Sequence, residues 1–445
     1  MENIIPNSDQ LIITRLGPAC FNSPLKLSTI DGDNIANYVD DDDKVLFDIN
    51  LKNLREAIVG KSDIPAFELA GPRDKLFFDP AKSKAAIVTC GGLCPGLNNV
   101  IRSLVMTLHY NYGLRNILGI PYGYRGLVPG LGPEPINLTP DFVKQIHERG
   151  GSVLASSRGQ RDVGQIVDFL VSNRIDILFT IGGDGTQKGA FAIFQEIQKR
   201  NLPISIIGVP KTIDNDIAFV EKTFGLETAF SVAGEAIRSA HVEAVGAPHG
   251  VGIVKVMGRH CGYIAANAAL AMNEVNFVLI PEIAFDLEGP KGLFALLEKR
   301  LAEKDHAVIV IAEGAGQNHL EAVAETDGSG NKKLGDIGLF MTAAIKTHFL
   351  KIKTEVSVKY IDPSYMVRSV PANSHDAIFC MQLAQNAVHA AMAGKTGLII
   401  GTWHNHFTHV PMSLSVGNVK RLDPEEPLWL SVIEATGQPF MIKNA

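Results

Sequence analysis

The sequence predicts an α/β protein of two doubly wound lobes with mainly parallel sheets, preceded by an N-terminal extension. Short apolar runs alternate with helix-length segments from residue 85 onward, a pattern typical of parallel strands covered by helices on both faces. The chain has 445 residues, about three times the length of a typical domain. Its 42 glycines are clustered in loops that follow predicted strands. In open parallel sheets, such loops form the ligand-binding crevice.

The composition narrows the class of function. Hydrophobic residues make up 46% and charged residues 20% of the chain, which is ordinary for a globular protein with a large core. The 41 Lys and Arg against 47 Asp and Glu give a net charge of -6, which argues against a general nucleic-acid binder. The five cysteines are an odd number, which argues against a disulfide framework. With no signal peptide and no apolar membrane-length window, we expect a soluble cytoplasmic protein without a membrane partner.

The elements follow in order along the chain. Residues 1–84 contain an acidic run and few apolar strands, and we expect this extension to wrap the core or to serve assembly. Two helices are predicted over residues 98–109 and 187–199. The first lobe is predicted to contain residues 85–225 with 366–410, and the second residues 226–365 with 411–445. The predicted strands cover residues 85–89, 175–181, 204–209, 251–256, 277–280, 307–312, 356–361 and 398–402.

Three loops directly follow predicted strands, at residues 89–99, 181–187 and 208–217. Ligands of open parallel sheets bind beyond the carboxyl ends of the strands, so we expect these loops to converge. GGLCPG (91–96) fits either a phosphate-binding turn or a tight turn without a ligand. GGDGT (182–186) favours a polyphosphate site, in which Asp184 is placed to hold Mg²⁺.

The segment PKTIDND (210–216) supplies the acid–base candidates. If it is extended, Thr212, Asp214 and Asp216 share one face, so that one carboxylate accepts a proton from an attacking alcohol. The alternative is an Asx-rich turn that caps the next helix. Further along, Arg259, Lys359 and Arg368 are candidate ligands for a second anionic group.

Taken together, these motifs resemble the 6-phosphofructokinase family. The ordered set covers most of the chain, and FELAGPR (67–73) with PKTIDND is similar to the long-chain ATP-dependent group of plants and trypanosomatids. The motifs that carry the resemblance are TCGGLCPGLNNVIR (89–102), GSVLASSRG (151–159), IGGDGTQKGA (181–190), GVPKTIDND (208–216), TFGLETA (223–229), VMGRHCGYIA (256–265), EGAGQ (313–317) and IDPSYMVR (361–368).

The resemblance implies a glycolytic enzyme that transfers the γ-phosphoryl of MgATP to the 1-hydroxyl of fructose 6-phosphate. It implies a phosphoryl-donor role for the first lobe, a sugar-phosphate role for the second, and a homo-oligomer, either a tetramer or a dimer. Asp214 matches the general base, and Thr212 lies beside it in the motif. Arg158 matches the arginine that stabilises the transferring phosphoryl group. Asp184 matches the carboxylate associated with the metal. The donor-site matches are Gly92, Gly183, Gly185, Thr186, Lys188 and Lys211.

The matches for the sugar phosphate lie mostly downstream. The short bacterial form has a His where Tyr365 stands, and it sends an Arg from a neighbouring subunit at the position of Gly250. The intersubunit part of the substrate site therefore does not carry over. The implied sugar-binding residues are Thr212, Asp214, Asp216, Met257, Gly258, Arg259 and Glu313, and those of the 6-phosphate site are Lys359, Tyr365 and Arg368.

The phosphoryl donor is where the motifs disagree. Gly185 favours ATP, because a carboxylate at this position would crowd and repel the α-phosphate. Lys211 resembles the pyrophosphate-type sequence, so a reversible pyrophosphate-dependent enzyme is the alternative. A kinase for another hydroxyl would lack the later MGR and IDPSYMVR motifs. A silent regulatory subunit would be expected to have lost Asp184, Asp214 or Arg259.

Overall fold

A computed structural model describes residues 5–60, 62–159, 161–321, 325 and 332–444. The chain divides into two compact units. The first contains the chain up to Thr212 together with Ile217–Phe224 and Pro371–Val419, and the second contains Ile213–Asp216, Gly225–Val370 and the chain from Lys420. The later boundaries therefore fall after residues 370 and 419, where the sequence analysis divided the chain after 365 and 410.

All eight strands predicted from the apolar runs are present, and their bounds agree within two residues. The described residues also contain short strands that the apolar pattern did not indicate. In chain order the strands are β1 (Thr14–Arg15), β2 (Phe21–Asn22), β3 (Lys44–Leu46), β4 (Ala66–Leu69), β5 (Lys75–Leu76), β6 (Lys84–Thr89), β7 (Asn116–Ile120), β8 (Ile136–Asn137), β9 (Ile177–Gly182), β10 (Ser205–Pro210), β11 (Gly250–Val256), β12 (Phe277–Leu279), β13 (His306–Ala312), β14 (Ser357–Ile361), β15 (Lys395–Thr396), β16 (Leu398–Trp403) and β17 (His406–Pro411).

The predicted helix over 98–109 is confirmed as an α-helix that continues into a π-helical turn at Thr107–Tyr112. The helix predicted over 187–199 begins three residues earlier. The α-helices are α1 (Leu51–Gly60), α2 (Leu97–Met106), α3 (Pro140–Val143), α4 (Val163–Ser172), α5 (Asp184–Lys199), α6 (Leu226–Val245), α7 (Tyr263–Ala271), α8 (Leu293–Lys304), α9 (Ile337–Lys351), α10 (Ser364–Ser369), α11 (Ser374–Met392), α12 (Met412–Ser415) and α13 (Pro427–Thr436).

The first unit is built on a nine-stranded sheet in the order β3-β4-β17-β16-β10-β9-β6-β7-β8. The central strands β16, β10, β9, β6 and β7 are parallel, whereas β3, β4, β17 and β8 pair antiparallel at the edges. Strands β9 and β10 are buried along their whole length, as expected for parallel strands covered on both faces. The mainly parallel sheet is therefore confirmed, with antiparallel strands added at both edges.

The second unit has a four-stranded sheet in the order β12-β13-β11-β14, in which all neighbouring strands are parallel. Side chains of α8 and α9, including Leu297 and Ile345, form one core cluster with Val251 and Ile309 of the sheet. Helix α6 approaches β11 so closely that a Cβ on Gly252 would lie 2.7 Å from the main-chain oxygen of Ala240. A helix therefore packs on either side of the central strand, as in a doubly wound sheet.

The N-terminal segment contributes strands to the first unit: β4 joins the large sheet and β1 pairs with β15. Its FELAGPR motif buries an ion cluster. The Glu68 carboxylate contacts the Lys395 ammonium. It also lies 3.1 Å from Arg73 Nη2 and 2.7 Å from His409 Nδ1. The motif thus connects the extension to β15 and β17 through charged groups. Among the described residues, no helix is both long and apolar enough to cross a bilayer.

Candidate active site

In the first unit the main chain of the glycine loop after β6 is hydrogen-bonded to residues 151–159. The Gly91 N–H donates to Ser157 O at 3.1 Å, and the Ser156 hydroxyl donates to Gly91 O at 2.6 Å. The Cys90 N–H donates to Ile181 O, at the end of the neighbouring strand. The exposed Arg158 is therefore carried on a segment anchored to the glycine loop.

The GGDGT motif forms the junction between β9 and α5. Asp184 is the first residue of α5 and Lys188, one turn later, places Nζ 2.7 Å from its Oδ2. The positive end of the helix dipole favours anions at this position. Thr186 is buried, and its main-chain oxygen accepts a bond from the Tyr124 hydroxyl. A Cβ on the exposed Gly185 would meet no atom within 4 Å, so packing does not require glycine there.

Lys211 joins two of these loops. Its side chain is only 5% exposed, its Nζ donates to Gly92 O at 2.6 Å, and its main-chain N–H donates to Gly182 O at 3.0 Å. A Cβ on Gly183 would lie 3.2 Å from Lys211 O, so the glycine permits a close approach of the two main chains. The first unit thus brings Gly92, Gly183, Asp184 and Lys211 to the carboxyl ends of β6, β9 and β10.

The carboxylate segment Ile213–Asp216 belongs to the second unit and is not extended. Residues 213–214 form a turn, and Asn215 has a φ of 56° in the left-handed region. The face-sharing argument from strand alternation is therefore wrong for these residues. The alternative is confirmed in that these residues form a turn, but the turn does not cap the next helix, because the N-cap of α6 is Gly225.

Two contacts within the second unit hold this segment. The Cys261 thiol donates to Asp214 O at 3.1 Å, and the Lys420 N–H donates to Asp216 O at 3.0 Å. Burial raises the pKa of the Cys261 thiol well above its usual value, and the neighbouring carboxylates of Asp214 and Asp216 raise it further. The thiol therefore stays protonated and acts as a hydrogen-bond donor that supports the main chain of the segment.

The residues after β11 and β13 meet at the same edge of the second sheet. The Glu313 N–H donates to Val256 O and the Gly314 N–H to Gly258 O. Gly258 has a φ of 129°, which other residues rarely adopt. Burial raises the pKa of Glu313, and the positive charges of Lys255 and Arg259 oppose that rise. Met257, Gly258, Arg259 and Glu313 therefore lie together.

Of the residues predicted to bind the 6-phosphate, two lie near this edge and one does not. Tyr365 and Arg368 are on α10, directly after β14, and the Arg368 guanidinium lies 4.7 Å from the centre of the Tyr365 ring. The charge of Arg368 also acts on Glu313. Lys359 instead lies within β14, opposite Gly252, and its Nζ is 3.8 Å from Glu243 Oε2 of α6.

The sequence analysis missed the groups that support this edge. Lys255 lies within the buried strand β11 and contacts the carboxylates of Asp336 and Asp362. A lysine in an otherwise apolar parallel strand was the available signal, because a charge is buried only when it is paired. Nothing in the local pattern indicated its partners, which follow 81 and 107 residues later.

Comparisons with known proteins agree with this architecture. The family model described as Phosphofructokinase matches residues 84–391. The ATP-dependent 6-phosphofructokinase of Borreliella burgdorferi is 47% identical over 439 residues, covering 97% of each chain. The chloroplastic ATP-dependent 6-phosphofructokinase 5 of Arabidopsis thaliana is 48% identical over 373 residues, covering 84% of this chain and 69% of the relative.

Solved structures share the fold at low sequence identity. The pyrophosphate-dependent phosphofructokinase of Marinobacter aquaeolei aligns with a TM-score of 0.66 at 20% identity, covering 82% of this chain and 92% of the other. The Pichia pastoris phosphofructokinase in the T-state aligns with a TM-score of 0.62 at 23% identity, covering 80% of this chain and 37% of the yeast chain.

Proposed function

The chain belongs to the phosphofructokinase family, and from this premise we infer that it is an ATP-dependent 6-phosphofructokinase. It transfers the γ-phosphoryl of ATP to the 1-hydroxyl of fructose 6-phosphate and yields fructose 1,6-bisphosphate. The observation that carries this conclusion is 47% identity to an enzyme of that name across 97% of both chains. Gly185 supports ATP as the donor, since its open surroundings leave room for a nucleotide.

We propose that the first unit binds the donor. Main-chain N–H groups of the glycine loops and the amino end of α5 suit the phosphates of ATP. Lys211 and Lys188 supply positive charge, and Arg158 offsets the charge that develops on the transferring phosphoryl. Gly92, Gly183, Gly185 and Thr186 keep the main chain accessible to the phosphates.

Mg²⁺ fits the residues that are present. The Asp184 side chain is 31% exposed at the start of α5 and can turn from Lys188 toward a metal. No group of three or more candidate metal ligands occurs in the described part of the chain, and Mg²⁺ commonly needs only one or two carboxylates besides phosphate oxygens. We propose that Asp184 holds Mg²⁺, which would neutralise phosphate charge when bound.

We propose that the second unit binds the sugar phosphate. Asp214 accepts the proton of the 1-hydroxyl as that oxygen attacks the phosphoryl group, with Thr212 and Asp216 positioned around it in the chain. Met257, Gly258, Arg259 and Glu313 bind the sugar, and Arg368 with Tyr365 binds the 6-phosphate. The role of Lys359 at the 6-phosphate remains a prediction. Phosphoryl transfer depends mainly on positioning and charge neutralisation, which these groups supply.

The test is an assay of the purified protein with fructose 6-phosphate and either ATP or pyrophosphate. We expect product with ATP, loss of activity when EDTA removes divalent cations, and recovery when Mg²⁺ is restored. Activity with pyrophosphate and none with ATP would reverse the assignment of the donor. Light scattering at the assay concentration tests the further proposal of a homotetramer or homodimer, and cell fractionation tests the proposed cytoplasmic location.

A further inference from the structure

The second unit contains a partly buried lysine that the proposed chemistry does not use. Lys255 is the residue before the last of β11, and its side chain is only 12% exposed. Its Nζ lies 3.0 Å from Asp336 Oδ2 and 2.9 Å from Asp362 Oδ2. A partly buried ammonium loses hydration, and two carboxylates at hydrogen-bond distance offset that loss. The lysine therefore fixes both carboxylates relative to β11.

Each carboxylate in turn holds the start of a helix. Asp336 accepts bonds from the Gly338 and Leu339 N–H groups at the beginning of α9 and from the Tyr360 hydroxyl. Asp362 follows β14 and accepts bonds from the N–H and hydroxyl of Ser364, the first residue of α10. Through Asp362 the lysine therefore sets the start of the helix that carries Tyr365 and Arg368.

The positive charge of Lys255 also acts on the Glu313 carboxylate at the end of β13. Glu313 directly follows β13, and burial raises its pKa. Three positive groups oppose that rise, namely Lys255, Arg259 and Arg368, and the Asp362 carboxylate adds to it. Without Lys255, the carboxylates of Asp336, Asp362 and Glu313 would outnumber the positive groups of Arg259 and Arg368. This edge of the sheet is the one proposed to bind an anionic phosphate. Loss of Lys255 should therefore weaken anion binding through both position and charge.

We propose that Lys255 is a positioning residue for fructose 6-phosphate, which connects the ends of β11 and β14 and sets the start of the helix that carries Arg368, without touching the substrate. The inference rests on the proposed function, because it assigns the sugar phosphate to this edge. A residue with a merely structural role would change the stability of the protein and leave the KM for fructose 6-phosphate unchanged.

The experiment compares the full-length wild type with Lys255→Met and Lys255→Arg in steady-state kinetics, calorimetric binding of fructose 6-phosphate and thermal unfolding. We expect Lys255→Met to raise the KM and the Kd for fructose 6-phosphate about tenfold or more. The KM for ATP should stay within about twofold, the range typical of independent sites. Lys255→Arg retains the charge and should recover most of the affinity.

A second variant and a control keep the test decisive if Lys255→Met does not fold. Asp362→Asn keeps the size of a side chain that is 34% exposed and leaves the contact of Lys255 with Asp336. It should raise the KM for fructose 6-phosphate in the same direction by a smaller factor. Lys346→Met removes an exposed lysine of α9 and should change neither KM.

The outcomes separate the two proposals. If the wild type phosphorylates fructose 6-phosphate but the Lys255 and Asp362 variants keep its KM within about twofold, the positioning role is overturned and the proposed function stands. If the wild type does not phosphorylate fructose 6-phosphate with either donor, the proposed function fails and the positioning role fails with it.

Discussion

The two units end their parallel strands with different chemistry. In the first unit the residues after β6, β9 and β10 hold one another through main-chain groups, and Lys211 donates to a main-chain oxygen. In the second unit the residues at the ends of β11, β13 and β14 are charged side chains, among them Lys255, Glu313 and Arg368. Main-chain donors suit a chain of phosphates, whereas side-chain charges suit one phosphate at a defined distance.

The first unit also buries charges, but elsewhere. Its ion cluster of Glu68, Lys395, Arg73 and His409 lies beside β15, which precedes the amino end of β16. The glycine loops lie at the opposite, carboxyl ends of the parallel strands. On the positioning role proposed for Lys255, the paired charges of the second unit serve the ligand, whereas those of the first hold the N-terminal segment to the sheet.

Asp214→Asn should have the largest effect on turnover. Removal of the proton acceptor should lower kcat about 10²- to 10⁴-fold, as for other general bases. The KM for fructose 6-phosphate should change little, since the amide keeps the shape of the side chain. Glu303→Gln, an exposed position on α8, is the matched control. Near-normal kcat for the Asn variant would remove Asp214 from the role of base.

Arg368→Met should weaken the binding of fructose 6-phosphate more than the binding of ATP. The loss of a charge-assisted hydrogen bond should raise the KM for fructose 6-phosphate about 10- to 100-fold. The KM for ATP should be unchanged. Arg238→Met provides the control, because Arg238 is an exposed residue of α6 that pairs with the exposed Glu235. Equal increases in both KM values would contradict the separation of roles between the units.

Gly185→Asp should affect the donor and not the fold. A new carboxylate should repel the phosphates of ATP and raise the KM for ATP about tenfold. An added Cβ meets no atom within 4 Å, so thermal unfolding should stay close to that of the wild type. Gly185→Ala isolates the charge from the added volume and should have a much smaller effect. An unchanged KM for ATP in the Asp variant would show that position 185 does not face the donor.

Acid should destabilise the first unit through His409. Burial lowers the pKa of His409 to about 4, below its ordinary value of 6.5. The unfolded chain therefore binds more protons between these two pH values, and the free energy of unfolding falls as the pH drops from about 6.5 to about 4. A shift of this size corresponds to a loss of about 3 kcal/mol.

The measurement is denaturant unfolding across this pH range. His409→Asn, which offers a side-chain N–H to Glu68, should give a shallower slope than the wild type. His406→Asn, an exposed position on the same strand, should keep the wild-type slope. Neither variant should alter the KM for fructose 6-phosphate. A wild-type slope in His409→Asn would exclude His409 as the source of acid sensitivity.

Local pattern was sufficient for the parallel strands except β7, whose sequence NILGI begins with a polar residue and contains a glycine. Continuous apolar runs such as Ile177–Gly182 are buried on both faces whatever their neighbours, so their position is visible in the sequence. The antiparallel strands escaped because β4 and β17 mix polar with apolar residues, and Glu68 and His409 are paired across them. Their burial depends on partners more than 300 residues apart.

The candidate site residues also divide into those that a local motif reveals and those that depend on distant contacts. The glycine motifs and Asp184 were recognisable because their chemistry lies within a few consecutive residues. The conformation of Ile213–Asp216 was not, since the left-handed Asn215 and the Cys261 contact are set by packing in the second unit. The resemblance placed Lys359 at the 6-phosphate site. The local sequence does not reveal that its side chain pairs with Glu243 of α6.

The α/β class, the positions of most parallel strands and the glycine-rich loops that follow three of them were visible in the amino-acid sequence alone. These properties depend on side chains that are close together along the chain. The pairing of charges was not visible there, because tertiary folding brings Lys255 to Asp336 and Asp362, and Glu68 to Lys395. An isolated buried charge is strongly unfavourable, so its place is settled by partners that folding brings from distant segments.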